Sequence, residues 1–136
     1  MHSHPVTDAL VGVVGPCGSG KSTLVAGLQS MGVACRHIAQ EHSYVLYMWQ
    51  RIANPDVLVF LDASFATCTR RRRLNWTEAD YAGQQRRLHH AREHADLVIE
   101  TDGLSAEQVL DQASTFLRST NGGGGRSRAD VGGSVV

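Results

Sequence analysis

Gly15-Pro16-Cys17-Gly18-Ser19-Gly20-Lys21-Ser22-Thr23 is the stretch that decides the fold of this chain. It fits the pattern G-x-x-x-x-G-K-[ST], in which backbone N–H groups and the lysine bind phosphates while the hydroxyl holds Mg²⁺. Glycine suits such a loop because a side chain would keep the main chain away from the phosphates. Lys21 is the only lysine among 136 residues. The pattern predicts a nucleoside triphosphate ligand, with an ordinary glycine-rich turn and a solvated lysine as the alternative.

The flanks of this stretch supply the strand and the helix that the motif needs. Residues 9–14 form a short apolar run that is typical of a buried strand. On the other side, apolar residues recur at helical spacing as far as Gly32: Leu24, Val25, Leu28 and Met31. The N-terminus of that helix would add partial positive charge and unpaired amides to a phosphate site.

The overall composition limits the kinds of partner. Thirteen basic and thirteen acidic side chains cancel, so no global charge draws the chain to nucleic acid or to a membrane. The apolar runs at 9–14 and 57–61 are too short to span a bilayer, and residues 1–5 lack the apolar core of a signal peptide. Three cysteines without a C-x-x-C pair argue against a disulfide framework or a zinc site. We therefore expect a cytoplasmic protein without membrane or nucleic-acid partners.

The chain is expected to contain one domain and a tail. Residues 121–136 carry six glycines and no aromatic residue, so they cannot bury enough apolar surface to offset the cost of ordering. We expect residues 1–120 to form a nucleotide-binding domain and residues 121–136 to be disordered.

Strand-like and helix-like segments alternate after the first helix. Apolar runs predict strands at 33–39, 56–62 and 96–100, and capping residues predict helices that begin after Ser43, Ser64, Thr77 and Ser105. This alternation predicts an α/β fold with three αβα layers and a mainly parallel sheet of about four strands. The second strand should lie beside the first, with the third and fourth on the opposite side. A site is then expected at the carboxyl ends of the strands.

Four features together resemble the nucleoside and nucleoside-monophosphate kinases, in particular thymidylate kinase-like and deoxynucleoside kinase-like proteins. They are the glycine-rich loop, the segment PDVLVFLD at 55–62, the arginines after it, and the segment ADLVIETD at 95–102. The resemblance covers about residues 8–118. It implies a P-loop NTPase fold that binds ATP with Mg²⁺ and transfers a phosphoryl group to a small-molecule acceptor.

Arginines after the third strand match the lid of that family in position and type: Arg70, Arg71, Arg72 and Arg73, with Arg86 and Arg87. The resemblance implies that such arginines stabilise the transferring group, because guanidinium groups bind phosphate oxygens in a planar fork. We assign this catalytic role to Arg70 and Arg73. The alternatives are a solvated helix face paired with carboxylates and a nucleic-acid patch, which the neutral charge disfavours.

Three further assignments concern acidic residues at strand ends. Glu41 follows the second strand, where kinases of this kind place a carboxylate that orients the acceptor; capping of the next helix is the alternative. Asp62 ends the third strand and would order Mg²⁺-bound water beside Ser22, or cap the following turn. Asp102-Gly103 matches the loop that borders the adenine ring, and Asp-Gly is also a common turn.

The segment before residue 56 departs from the family. About seventeen residues, Gln40 to Asp56, occupy an interval in which those kinases carry a further strand and helices around the acceptor. We therefore expect a shallow acceptor pocket, or one completed by a second subunit of a homodimer, lined by Tyr44, Tyr47, Met48, Trp49 and Arg51. The same aromatic residues would equally suit the core or a dimer surface. His90 and His94 lie one helical turn apart, and a solvated helix face is favoured over a metal site.

These features lead to two functional hypotheses. The first is an ATP- and Mg²⁺-dependent phosphotransferase that acts on a small molecule such as a nucleoside or nucleotide. The second is a non-catalytic ATP-binding module derived from such a kinase, which the shortened segment favours and the lid-like arginines oppose. A GTPase switch ranks third, because the chain has no Asn-Lys-x-Asp signature.

Overall fold

Four parallel strands form one sheet in the computed structural model, which describes residues 6–73 and 75–120. The elements are β1 (Val11–Val14), α1 (Lys21–Ser30), β2 (Cys35–His37), α2 (Met48–Ile52), β3 (Val57–Asp62), α3 (Phe65–Arg72), α4 (Glu78–His94), β4 (Leu97–Glu100) and α5 (Ala106–Thr120). The sheet order β2-β1-β3-β4 confirms the predicted order. The predicted tail at 121–136 lies outside the described residues.

Side chains of β3 alternate between two hydrophobic cores. Val57, Val59 and Leu61 belong to one core, whereas Leu58 and Phe60 belong to the other. A period of two is what a strand produces, so the two cores lie on opposite faces of the sheet. Helices α1 and α5 contribute to the first core through Leu28, Val109 and Leu117, and helices α2 and α4 to the second through Trp49 and Leu88. The fold is therefore α/β and compatible with three αβα layers.

Three helices begin where capping residues predict them. The side chain of each cap accepts a hydrogen bond from the backbone N–H three residues later: Ser64 from Thr67, Thr77 from Asp80 and Ser105 from Gln108. In the last two caps the later residue also accepts a hydrogen bond from the backbone N–H of the cap. Such caps stabilise a helix by about 1 kcal/mol each, so local sequence is enough to start α3, α4 and α5.

The prediction of a helix that begins directly after Ser43 is wrong. A 3₁₀ turn covers Gln40–His42, and α2 begins only at Met48 and has five residues. The buried side chain of Gln40 accepts a hydrogen bond from Trp49 N at 2.9 Å, which holds the intervening residues in a loop. Trp49 is fully buried, so this residue belongs to the core. Within the described part of the chain, no helix is both long and apolar enough to cross a membrane.

Candidate functional site

The loop between β1 and α1, residues 15–20, is tightly packed against its neighbours. Gly18 has a φ of 86°, which L side chains rarely adopt, and a Cβ there would lie 2.6 Å from the carbonyl oxygen of Cys68 in α3. A Cβ on Gly15 would clash with the carbonyl oxygen of Leu61 in β3. Glycine is therefore required at both positions by the protein itself, before any ligand is considered.

Lys21 is buried at the start of α1, and its ammonium group is held by the protein. Its Nζ donates hydrogen bonds to Gly15 O at 2.7 Å and to Pro16 O at 3.0 Å, and it lies 3.0 Å from Glu41 Oε2. An ammonium has three N–H donors, so these three contacts use all of them. A phosphate group that binds Lys21 must therefore replace or share one of these partners.

Glu41 comes beside the loop because β2 is the neighbour of β1 in the sheet. The residue is 2 % exposed, and its backbone carbonyl accepts a hydrogen bond from Arg87 Nε in α4 at 2.6 Å. One carboxylate oxygen, Oε2, faces Lys21. The other oxygen, Oε1, is buried and has no hydrogen-bond partner among the residues that the structure describes. Buried polar atoms are normally paired, so this oxygen is available to a hydrogen-bond donor on a ligand.

Gln84 of α4 holds the loop at Cys17. Its Oε1 accepts a hydrogen bond from Cys17 N at 3.0 Å, and its Nε2 donates one to Cys17 Sγ at 3.2 Å. Gln84 is buried on the same stripe of α4 as Leu88 and Ala91, four and seven positions later. Sequence analysis missed this residue. A polar side chain at an apolar position of a helical stripe is the signal that could have found it.

A cleft of about 380 Å³ opens on the loop, and we call it the loop cleft. Cys17, Gly18 and residues 20–23 line one wall, and His37, Glu41, His42, Arg71 and Arg72 contribute to the other. The volume is within the range of roughly 300–1,000 Å³ that is typical of ligand pockets. The N-terminus of α1 and the side chains of Arg71 and Arg72 lie along this cleft, and the Lys21 ammonium is there paired with the Glu41 carboxylate. The remaining charge is positive, so the cleft is suited to an anion.

His37 is a neutral member of the loop cleft near pH 7. Burial lowers the pKa of its imidazole below the ordinary value of 6.5, and the charge of Lys21 lowers it further. Sequence analysis did not single out His37. Its position at the end of β2 places it at the same sheet edge as Lys21.

Arg71 links the loop to the end of β4. Its guanidinium group donates hydrogen bonds to Thr101 O at 2.7 Å and to Thr101 Oγ1 at 2.9 Å, with a longer contact to Ser19 O at 3.4 Å. These bonds hold one edge of the guanidinium group against the protein. Arg71 also lines the loop cleft, and none of these contacts is with a carboxylate.

The helical phase of α3 decides which arginines reach the loop. All four arginines are exposed, but only Arg71 and Arg72 line the loop cleft, whereas the predicted Arg70 and Arg73 do not. Cys68 packs against the loop, and residues three and four positions later lie on the same face of a helix. The structure therefore brings Arg71 and Arg72, rather than the two arginines chosen from the sequence, to the site.

A second cleft, which we call the apolar cleft, adjoins the loop cleft and has a volume of about 170 Å³. The two clefts share the lining residues Gly20, Thr23 and Arg71, so they lie side by side, and we call the pair the groove. The apolar part of its wall consists of Leu24, Leu104, Ala106 and Val109. The groove thus has a cationic end and an apolar end.

Asp102 and Gly103 form the turn that leads to Leu104. Asp102 Oδ1 accepts a hydrogen bond from Ser64 N at 3.0 Å, and this bond is the main reason that the pKa of the Asp102 carboxyl is lowered. Gly103 has a φ of 77°. Neither residue lines the apolar cleft, which the same loop reaches through Leu104 instead.

Asp62 lies in a different part of the sheet edge. Its Oδ2 accepts a hydrogen bond from Arg92 Nη1 at 2.7 Å, and together with Glu100 and Asp102 it lines a third cleft, the acidic cleft. Ser22 lines the loop cleft. The predicted Mg²⁺ pair of Ser22 and Asp62 is therefore divided between two clefts.

No protein-family model matches this chain, and no curated protein matches it. The functional conclusion therefore depends on the chemistry of the groove. A groove with a cationic end and an apolar end suits a ligand that carries several negative charges at one end and a flat apolar group at the other.

Proposed function

We propose that this chain is an ATP-dependent phosphotransferase with a P-loop NTPase fold that acts on a small molecule. The observation that carries the proposal is the position of Lys21. It begins α1 directly after a glycine loop, lines the loop cleft and contacts a buried carboxylate at 3.0 Å. Phosphoryl transfer consists mainly of positioning and charge neutralisation, and these groups supply both. A cytoplasmic location remains part of this proposal.

The triphosphate would lie in the loop cleft and the base in the apolar cleft. Backbone N–H groups of the loop and the N-terminus of α1 would bind phosphate oxygens, together with Lys21. Arg71 and Arg72 would neutralise the transferring group from the opposite wall, the role that the sequence had assigned to Arg70 and Arg73. Adenine would pack on the apolar wall, close to the predicted loop Asp102-Gly103 but against Leu104.

The residues present also fit Mg²⁺. The hydroxyl group of Ser22 belongs to the cleft that would receive the phosphates, and Mg²⁺ in such sites is bound by few protein oxygens together with substrate phosphates and water. When bound, the ion would neutralise the charge that develops on the phosphate oxygens. The sequence-based role of Asp62 is not carried into the proposal, because Asp62 lines another cleft and is bound by Arg92.

We assign Glu41 to the acceptor hydroxyl. Its Oε1 is buried without a partner among the described residues, so it is ready to accept a hydrogen bond from that hydroxyl. The acceptor oxygen then bonds to the γ-phosphorus while the bond from phosphorus to the β–γ bridging oxygen breaks, which releases ADP. Glu41 takes the proton of the hydroxyl.

The second candidate is an ATP-binding module without an acceptor, and one observation favours it. The segment 40–56 contains only a 3₁₀ turn and the short α2, and Tyr44 and Tyr47 in it are exposed rather than arranged around a pocket. If the chain is nevertheless an enzyme, the acceptor would lie on this shallow surface or be enclosed by a second subunit.

A panel of acceptors separates the two candidates. Purified protein is incubated with ATP and Mg²⁺ and with nucleosides, nucleotides or sugars, and phosphorylated products are sought by mass spectrometry. We expect one acceptor class to give product, Glu41→Gln to slow its formation by about 100-fold or more, and Asp62→Asn to change it less than about twofold. ATP binding should survive in Glu41→Gln. ADP formation that no acceptor stimulates would favour the binding module.

A Mg²⁺ titration tests the role given to Glu41. If this carboxylate serves the acceptor, residual activity of Glu41→Gln should show the same Mg²⁺ dependence as the unmodified chain. If the carboxylate instead holds the ion, the variant should need much more Mg²⁺ for half-maximal activity, and the assignment of Glu41 to the acceptor would be wrong.

A further inference from the structure

Three potential metal ligands converge on one side of the loop cleft. Cys17 Sγ lies 3.5 Å from His42 Nε2 and 3.9 Å from Glu41 Oε2, and His42 Nε2 lies 3.7 Å from Glu41 Oε2. Each residue thus directs one ligand atom to a common point. This cluster is not evident from the sequence, because Cys17 is separated from the other two residues by more than twenty positions.

The distances match the edges of a tetrahedral zinc site. Zinc binds sulfur at about 2.3 Å, histidine nitrogen at about 2.0–2.1 Å and carboxylate oxygen at about 2.0–2.2 Å. At tetrahedral angles these bond lengths place the ligand atoms roughly 3.3–3.6 Å apart. The separation of Cys17 Sγ and His42 Nε2 already matches, and the two separations to Glu41 Oε2 need to shrink by only a few tenths of an ångström, which small side-chain movements supply.

A second and independent feature points to a ligand at this place. Glu41 is almost completely buried, and its Oε1 has no hydrogen-bond partner in the described part of the chain. A buried carboxylate oxygen left in this condition is costly unless something binds it. A cation bound between Cys17 Sγ, His42 Nε2 and Glu41 Oε2 would place positive charge beside this buried carboxylate group, while Lys21 keeps the carbonyl oxygens of Gly15 and Pro16 as acceptors.

Groups outside the cluster support Cys17 as the ligand. Gln84 Nε2 donates a hydrogen bond to Cys17 Sγ at 3.2 Å, an arrangement that orients the sulfur. The other two cysteines are buried, and burial raises the pKa of the thiol to about 12 at Cys35 and to about 11 at Cys68. They are therefore poor ligands and useful controls.

We propose that Cys17, Glu41 and His42 bind one Zn²⁺ ion, with a fourth position open to water. Binding converts the Cys17 thiol to a thiolate and releases its proton to the solvent, as thiol coordination of zinc requires. The site has three protein ligands of the types that zinc prefers, S, N and O. The proposed site differs from the expectation, based on the spacing of the cysteines, that the chain lacks a zinc site.

One consequence rests on the proposed function. Cys17 and Glu41 line the cleft that would hold the triphosphate, so zinc and ATP would exclude each other. Zinc would then inhibit the phosphotransferase at its own phosphate loop. Zinc binding itself does not depend on this, because it is measured without nucleotide.

Cobalt titration tests the site directly. Co²⁺ replaces Zn²⁺ in such sites and gives a near-ultraviolet absorption band only when a thiolate is bound. We expect the band to saturate at one equivalent in the full chain, to be lost in Cys17→Ser, and to require at least about 100-fold more metal in His42→Ala, since loss of a direct ligand should exceed the 10–100-fold effect of outer partners. Cys35→Ala should leave the band unchanged. Absence of the band, or its persistence in Cys17→Ser, would overturn the proposal.

A second experiment uses only the unmodified chain, so its result does not depend on whether a variant folds. One equivalent of Zn²⁺ should protect Cys17 from alkylation by iodoacetamide, as read by peptide mass spectrometry, and excess chelator should restore the reaction. Equal alkylation with and without zinc would contradict the site. The same samples, titrated with ATP and Mg²⁺, separate the two proposals: zinc binding in a chain that never binds ATP would leave the zinc site standing and remove the proposed function.

Discussion

The two halves of the carboxyl edge of the sheet carry the same kind of ion pair in opposite surroundings. Lys21 and Glu41, beside β1 and β2, have side chains that are 6 % and 3 % exposed; Arg92 and Asp62, beside β3, are 42 % and 24 % exposed. Breaking a buried pair leaves an uncompensated charge and costs about 3–5 kcal/mol, whereas exposed pairs contribute about 0–1 kcal/mol. The buried pair, which is costly to break, thus lies in the half that contains the glycine loop, and the exposed pair lies in the half beside β3.

The largest expected effect is on the buried pair. Lys21→Met should destabilise the chain by about 3–5 kcal/mol, because Glu41 remains buried without its partner. The double variant Lys21→Met, Glu41→Gln removes both charges and should recover much of this loss. Arg92→Ala is the matched change in the exposed half and should cost about 1 kcal/mol or less. Urea unfolding measures all three, and equal losses for Lys21→Met and Arg92→Ala would remove the distinction between the halves.

The next largest effect is expected for substitution of Gln84, because this residue of α4 holds the loop at Cys17. Gln84→Ala leaves the partly buried N–H of Cys17 without its acceptor and should cost about 1–3 kcal/mol in stability. The displaced loop should also bind ATP about tenfold more weakly in a calorimetric titration. Gln85→Ala, one position away on α4, is the control for ATP binding. An unchanged ATP affinity in Gln84→Ala would show that α4 does not organise the loop.

Two arginines of α3 allow the same kind of comparison within one helix, because Arg71 lines the loop cleft and Arg70 does not. Arg71→Ala should weaken ATP binding by about tenfold, since a charge-assisted contact to phosphate contributes about 1.5 kcal/mol or more. Arg70→Ala removes the same charge from the same helix outside the loop cleft and should have almost no effect. If the two variants weaken binding equally, the net charge of α3 matters rather than the position of Arg71.

The smallest expected effect is the pH dependence of stability that His90 contributes through its contact with the buried Trp49. Trp49 Nε1 donates a hydrogen bond to His90 Nδ1 at 3.1 Å, which requires that nitrogen to be unprotonated. Burial, and then the charge of His94, lowers the pKa of His90 below its ordinary value of 6.5. The unfolded chain therefore binds the proton first, so stability present above pH 6.5 is lost as the pH falls from 6.5 through the lowered pKa. The fall in urea midpoint between pH 7.5 and 5.5 should be smaller in His90→Gln than in the exposed control His89→Gln.

Much of the fold could be predicted because its signals are local. The apolar runs of β1 and β3 and the caps at Ser64, Thr77 and Ser105 depend on neighbouring residues, and right-handed crossovers then restrict the strand order. The loop after Ser43 could not be predicted in this way. Its course depends on Gln40, whose side chain bonds to a backbone group nine residues later.

The candidate site was less predictable because its parts are distant in sequence. Gln84 contacts Cys17 across 67 positions. Four consecutive arginines give no indication of which face of α3 meets the loop, and this depends on Cys68 packing against Gly18. Asp62 was assigned to Mg²⁺ because it ends β3, a strand next to β1. That position does not indicate which cleft its carboxylate lines, and Asp62 lines the acidic cleft.

Labelling of Lys21 tests the central claim most directly. An acyl-phosphate derivative of ATP transfers its acyl group to a lysine amine near the bound phosphates, and Lys21 is the only lysine of the chain, with the N-terminal amine as background. If the glycine loop binds ATP, Lys21 should be labelled, as identified by peptide mass spectrometry, and excess ATP with Mg²⁺ should block this labelling. Labelling that ATP does not block, or no labelling of Lys21 in the folded chain, would contradict a nucleotide site at the glycine loop.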